Sequence, residues 1–171
     1  RIMIPNIEYI RPQSLGEALE LLGKNGKKNE DEFRVKILAG GTDIIPGFQQ
    51  ESSRFSDIRK LVDINGIPEL KKIQSRDKHL AIGAASTFSS LEHNRNIITH
   101  FPLLSKAAST IGSLQIRHRA TVAGNFVNNA PCADSVSPLL VYDAWVKIES
   151  LHGSRQIPLQ EFLIKPYQTK I

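Results

Sequence analysis

The sequence predicts an α+β protein built as two lobes, and three observations predict it. Strand-like and helix-like patterns alternate over residues 7–64. Pairs of short apolar runs separated by turn residues dominate afterwards. A polar stretch, residues 49–57, lies between the two regimes and suits a boundary, so the expected division is residues 1–56 and residues 57–171.

In chain order, residues 7–10 (IEYI) read as a short strand, and Pro12 breaks its direction. Ser14 followed by Glu17 is a capping box, and Leu15, Ala18, Leu19 and Leu22 fall on one helical face. Gly23 is the expected stop, with a polar loop over residues 23–33. RVKIL (34–38) reads as a strand running straight into AGGTDI. LVDI (61–64) reads as another, closed by a turn at Asn65 and Gly66. LKKIQ (70–74) and HLAIG (79–83) flank a turn over residues 75–78 and predict a hairpin. Thr87 is placed to cap a helix reaching about His93, and residues 103–110 and those after Ser135 read as helical. AWVKIES (144–150), a turn at His152 and Gly153, and RQIPL (155–159) predict a second hairpin.

A chain of 171 residues with 40% hydrophobic content can bury an ordinary core. No run approaches the roughly 18 apolar residues that a membrane span needs, and the opening RIMIPNIEYI lacks the apolar run of a secretory signal. Cys132 is the single cysteine, which excludes an intramolecular disulfide or a thiolate metal cluster and fits a reducing, cytoplasmic compartment. The histidines at 79, 93, 100, 118 and 152 have no metal-ligand spacing, so no metal is expected. The net charge of +5 is spread along the chain and mixed with acids. Arg117, His118 and Arg119 form its densest cluster, which a phosphate-bearing ligand or an acidic protein explains as well as RNA does. Nucleic acid is therefore not the expected partner.

Two segments hold candidate binding residues. The first is Ala39, Gly40, Gly41, Thr42 and Asp43, where paired glycines at a strand end let successive N–H groups face one concavity, or simply make a tight turn. It matches neither a dinucleotide fingerprint nor a Walker loop. The second lies within residues 111–140, where Thr121, Ala123, Gly124, Asn125, Asn128, Asn129 and Asp134 crowd together. Small side chains allow close approach of backbone to a ligand, and Thr and Asn donate to phosphates or ring carbonyls. Asp134 suits either ligand hydroxyls or the cap of the helix that follows. No nucleophile–base arrangement or carboxylate pair stands out, so no catalytic residue is expected; the pattern suits a protein that holds a cofactor with its own chemistry.

Together, LAGGTDI (38–44) and GSLQIRHRATVAGN…PCADSVSPLL (112–140) resemble the FAD-binding flavoprotein (medium) subunit of molybdenum hydroxylases, as in carbon monoxide dehydrogenase and xanthine dehydrogenase. The opening IPNIEYIRPQSLGEALELL, VDINGIPEL (62–70), IGAAST (82–87) and the closing PYQTKI (166–171) fit in turn, so the likeness covers nearly the whole chain. The resemblance implies a two-lobed domain of the vanillyl-alcohol oxidase (PCMH) type with FAD between the lobes, and the family's smaller C-terminal domain absent from this sequence. It implies that Ala39, Gly40, Gly41, Thr42 and Asp43, flanked by Leu38 and Ile44, carry the pyrophosphate. Thr121, Val122, Ala123, Gly124 and Asn125 would lie near the phosphates and ribityl chain, with Asp134 as the family aspartate and Ile111 and Gly112 near the flavin. Ala123 stands where the family commonly has glycine. AGGTD contains no histidine of the kind that attaches flavin covalently in some relatives, so noncovalent FAD is expected.

The function implied is electron transfer within a molybdenum hydroxylase complex. An iron–sulfur subunit with [2Fe–2S] centres and a molybdopterin subunit would be the partners, and NAD, oxygen or a quinone the acceptor. Two rival readings are a stand-alone flavin oxidoreductase acting on a small molecule and a basic binding module without a redox role.

Overall fold

The computed structural model describes residues 6–24 and 34–171; of the expected loop over residues 23–33, residues 25–33 lie outside them. Strand β1 (Glu8–Ile10) leads through a buried Pro12 into helix α1 (Leu15–Lys24). The Ser14 Oγ accepts from the Glu17 N–H at 3.2 Å, and the Glu17 carboxylate accepts from the Gln13 N–H at 2.8 Å. The capping box thus closes one residue further out than its usual form. Helix α1 does not stop at Gly23. A Cβ there would stand 2.3 Å from the Leu151 side chain, so the glycine also admits a neighbour, one residue before the last helical position at Lys24.

Strand β2 (Arg34–Leu38), helix α2 (Ile44–Gln49) and strand β3 (Ile58–Asp63) follow, and 3₁₀ turns cover Ile64–Gly66 and Pro68–Lys71. Strands β1, β3 and β2 form a wholly parallel sheet in that order. The central strand, β3, begins at Ile58, so the expected division at residue 56 falls inside the stretch of chain that builds this sheet. All three strands end on one edge, and the glycine loop leaves from that edge after β2. Beneath it pack Leu38, Ile44, Phe48, Phe55, Ile58 and Leu61, with the Phe48 and Phe55 rings edge-on at 5.9 Å.

The rest of the chain mixes antiparallel hairpins with short helices. Strands β4 (Ile73–Arg76) and β5 (His79–Ile82) pair with a two-residue turn, tighter than the sequence suggested, because Asp77 takes the left-handed conformation (φ +48°). Helices α3 (Phe88–Glu92), α4 (Arg95–His100), α5 (Pro102–Thr110), α6 (Leu114–Arg119), α7 (Val122–Asn128) and α8 (Val136–Val141) come next. Thr87 caps α3 as expected. Strands β6 (Trp145–Ser150) and β7 (Gly153–Pro158) form the second hairpin, and helix α9 (Leu159–Phe162) leads to strands β8 (Leu163–Lys165) and β9 (Gln168–Thr169). Phe88, Leu91, Ile97, Leu104, Leu159 and Phe162 are all but fully buried in the main core. Each large side chain of this kind contributes about 1.5–3 kcal/mol on burial. No helix among the described residues is long and apolar enough to cross a membrane.

Candidate functional site

The glycine loop owes its shape to its position between β2 and α2. Gly41 is left-handed (φ +75°), which turns the chain from the sheet edge into the first turn of α2. The Gly41 and Asp43 carbonyls accept from Ile45 and Gly47. The Thr42 and Asp43 N–H groups meet no acceptor among the described residues. They are the orphan donors that any helix start leaves over.

The second segment is not a loop. Residues 114–119 form α6, and Thr121 is the N-cap of α7, so Val122, Ala123, Gly124 and Asn125 are its first turn. The Thr121 side chain is buried and its Oγ1 accepts from the Gly124 N–H at 3.1 Å. The Val122 N–H donates to the Ser86 carbonyl, and the Ala123 N–H has no acceptor among the described residues.

The glycine loop and the junction between α6 and α7, about eighty residues apart in sequence, are in contact. A Cβ on Gly40 would stand 2.4 Å from the Arg119 carbonyl oxygen and 2.8 Å from the Ala120 Cα. A Cβ on Gly124 would stand 4.0 Å from that of Ala39. Backbone therefore lies directly on backbone, which is the physical reason for glycine at position 40. The seam thus sets Ala39 and Gly40, which begin the glycine loop, against Arg119, Ala120 and Gly124. Leu38 and Ile44 flank the loop from the buried side.

A polar chain holds the glycine loop from beneath. The Asn65 Nδ2 donates to the Ala39 carbonyl at 2.6 Å and to the Asp63 Oδ1 at 2.7 Å, and the Asn65 N–H donates to the same oxygen at 2.8 Å. The Tyr9 hydroxyl donates to the other Asp63 oxygen. Burial pushes the Asp63 carboxyl up, but the Tyr9 and Asn65 bonds and the nearby Arg11 outweigh it and hold the group below 3.8. The bond to Asp63 is also the main cause that raises the Tyr9 hydroxyl above 10.0.

Asn125 and Asp134 meet through Ser135. The fully buried Ser135 Oγ donates to the Asn125 Oδ1 at 2.6 Å, which leaves the Asn125 Nδ2 as the free end of the amide. Asp134 is exposed, and its carboxylate has no partner among the described residues. It does not cap α8; Ser135 occupies that position.

Arg54 ties the far side together. Its guanidinium donates to the Asp43 carboxylate at 3.2 Å and the Asn128 Oδ1 at 2.6 Å, and lies 4.0 Å from the Tyr167 ring centroid. Lys36 stands nearby on β2, where burial lowers its ammonium below 10.5 and the Arg34 and Arg54 charges push the same way.

Ile111 is buried in the main core together with Ala120 and Val122, and its carbonyl accepts from the Arg117 Nη1. Ile111 and Gly112 precede α6, and a Cβ on Gly112 would stand 2.9 Å from the Ile116 side chain. Arg117 lies on α6, and its Nε donates to the Glu92 carboxylate at 3.1 Å within the helical packing. Sequence reasoning missed Asn65, Ser135 and Arg54. Asn65 carried only a turn signal, and the other two act through partners far away in sequence.

The donors suit a pyrophosphate. Two helix starts offer unpaired N–H groups at Thr42, Asp43 and Ala123, beside the Asn125 amide, and Asp134 is a free acceptor for hydroxyls. Cationic side chains stand behind them at Lys36 and Arg54.

The comparisons agree with this geometry. Residues 5–171 match the family model described as FAD binding domain in molybdopterin dehydrogenase. The chain is 36% identical to the 6-hydroxypseudooxynicotine dehydrogenase complex subunit alpha of Paenarthrobacter nicotinovorans, over 98% of this chain and 53% of that protein. It is 38% identical to the xanthine dehydrogenase FAD-binding subunit of Escherichia coli O157:H7, over 92% of this chain and 51% of that one. Among solved structures, a chain of carbon monoxide dehydrogenase from Hydrogenophaga pseudoflava matches with a TM-score of 0.88 at 32% identity, over 99% of this chain and 56% of that chain. The chain spans about half the length of the curated relatives it matches. It belongs to the family of FAD binding domains in molybdopterin dehydrogenases.

Proposed function

We propose that this chain holds FAD noncovalently across the seam and serves as the electron-transfer flavoprotein part of a molybdenum hydroxylase. The observation that carries the reading is the direct contact of the glycine loop, at Gly40, with the backbone of Arg119 and Ala120 that leads into α7. It brings the unpaired Thr42, Asp43 and Ala123 N–H groups into one neighbourhood. In this reading residues 39–43 and 121–125 take the pyrophosphate, with Leu38 and Ile44 closing the loop's buried side. Asn125 donates its Nδ2 to the ribityl–phosphate stretch, Asp134 accepts from hydroxyls or a ring N–H, and Ile111 and Gly112 border the flavin. Bound FAD supplies the redox chemistry. The side chains bind, orient and set the local charge.

Electrons would arrive from [2Fe–2S] centres on an iron–sulfur subunit, fed by a molybdopterin subunit, and leave to NAD, oxygen or a quinone. The single cysteine of the chain, exposed and free, supports a cytoplasmic setting. We also read the architecture as the two-lobed vanillyl-alcohol oxidase (PCMH) type, since a parallel sheet and a hairpin-rich part meet at the seam. The test is an absorption titration of the natural full-length protein with FAD. Saturable binding with a perturbed flavin spectrum is expected, and its absence would defeat the reading. Isolation of the protein alone, active and without partners, would replace the complex with a stand-alone oxidoreductase.

A further inference from the structure

We propose that Tyr167 is a positioning residue for the FAD site: its ring holds the Arg54 guanidinium where that group steadies Asp43 of the glycine loop. Resting on the flavin reading of that loop, this role adds a residue from the far end of the chain.

The first observation is a turn built on an unfavourable residue. Pro166 and Tyr167 alone join β8 to β9, and Tyr167 is left-handed (φ +60°). Proline fixes a negative φ at the first position, so the pattern is that of a type II turn, whose second position ordinarily takes glycine. A bulky aromatic residue there is strained. Such strain persists where the surroundings over-determine it, and it gathers at functional sites. Asn129 supplies the constraint. Its carbonyl accepts from the Tyr167 N–H at 2.9 Å, and its Nδ2 donates to the Lys165 carbonyl at 2.8 Å and the Gln168 carbonyl at 3.3 Å. Asn129 is itself left-handed (φ +48°), as the C-cap of α7.

The second observation is what the side chain touches. Tyr167 is 52% exposed and its hydroxyl has no hydrogen-bond partner among the described residues, so neither burial nor a polar bond accounts for an aromatic residue at this turn. Its ring centroid lies 4.0 Å from the Arg54 guanidinium, which is also 4.8 Å from the Phe55 ring. That guanidinium donates to the Asp43 carboxylate at 3.2 Å and to the Asn128 Oδ1 at 2.6 Å. A cation on a fixed ring is held electrostatically, and the long arginine side chain keeps fewer orientations. Helix α7 starts at the seam and ends at Asn128 and Asn129, so the helix that forms one wall of the seam also holds the turn that steadies the other.

The experiment titrates the natural full-length protein with FAD by flavin fluorescence, beside thermal unfolding of the ligand-free form. Tyr167→Gly relieves the turn, so ligand-free stability should hold or rise while the Kd for FAD rises about fivefold, as loss of an exposed cation–π contact does. Tyr167→Phe keeps the ring and should restore the Kd. Asp77→Gly, which relieves a left-handed turn on the β4–β5 hairpin, should leave it unchanged. Added to Arg54→Met, Tyr167→Gly should cost nothing more, because the two act in series. Additive losses would overturn the proposal, as would a Phe variant as weak as the Gly variant, which would make the phenol a direct ligand contact. A drop in ligand-free stability that accounts for the lost affinity would make the residue merely structural. Amide exchange over residues 42–47 of the ligand-free protein should quicken in Tyr167→Gly and stay unchanged in Tyr167→Phe. This readout needs no ligand. Failure of the unaltered protein to bind FAD therefore defeats the flavin reading alone, whereas unchanged exchange in Tyr167→Gly defeats the role of Tyr167.

Discussion

Ser135 and Asn125, ten positions apart, are joined by a 2.6 Å hydrogen bond in which the buried serine hydroxyl donates to the asparagine Oδ1. The bond fixes which end of the amide is free. Ser135→Ala leaves that oxygen without its donor and lets the amide turn. The expected outcome is a loss of about 1–2 kcal/mol in stability and a several-fold rise in the Kd for FAD. Chemical denaturation and FAD titration check the two effects separately.

Arg54 is expected to matter through geometry as well as charge. Arg54→Met removes its bonds to Asp43 and Asn128 and its place over the Tyr167 ring. FAD affinity should fall about tenfold. Arg54→Lys should recover only part of the loss, because a lysine cannot present the same fork to two acceptors. Quenching of FAD fluorescence reads both variants; equal affinity in all three proteins would show that Asp43 needs no such support.

The Tyr9–Asp63–Asn65 chain predicts a pH dependence. The Asp63 carboxyl is held below 3.8 in the fold, so its stabilisation is present above that pH and is lost as pH falls through the folded value. Tyr9→Phe removes one of the bonds that lower it, and acid unfolding should begin at higher pH. At the alkaline end the sign reverses. The Tyr9 phenol is raised above 10.0, so its contribution is present below that pH and fades as the group ionises. The stability gap between the two proteins should narrow there. Denaturation midpoints measured across pH test both limbs.

Gly41→Ala should destabilise the protein before any ligand is present. A left-handed φ of +75° costs a side-chain-bearing residue about 1–2 kcal/mol. The new Cβ would press on Leu38 Cδ1 at 3.3 Å and Ile45 Cγ1 at 3.4 Å, within the protein and not across the seam. Reduced FAD affinity would follow from displaced N–H groups. Thermal unfolding of the apoprotein decides: unchanged apo stability with reduced affinity would place the Cβ against the ligand instead.

Local signals carried the elements that local chemistry determines. The Ser14–Glu17 cap, the Thr87 cap and both hairpins were legible because each depends on residues a few positions apart. Helix α6 was not, since its basic residues carry no apolar face and Arg117 is satisfied by Glu92 on another helix. Thr121 and Gly124 were recognisable as a special pair, but their role as a helix start was hidden by the small residues around them. The placement of the glycine loop after a strand was read correctly. What it rests upon was not, because the Asn65–Ala39 bond and the Gly40–Arg119 contact are tertiary facts with no local pattern.

The Gly40–Arg119 contact also bears on motion. Neither helix start forms a cradle alone, so opening the two walls away from each other dismantles it. A ligand held by both walls acts as glue, and the closed form gains about 2.7 kcal/mol when the ligand is at a hundred times its Kd. Amide hydrogen exchange along residues 39–43 and 121–125 should therefore slow together on saturation, while the β4–β5 hairpin keeps its own rate.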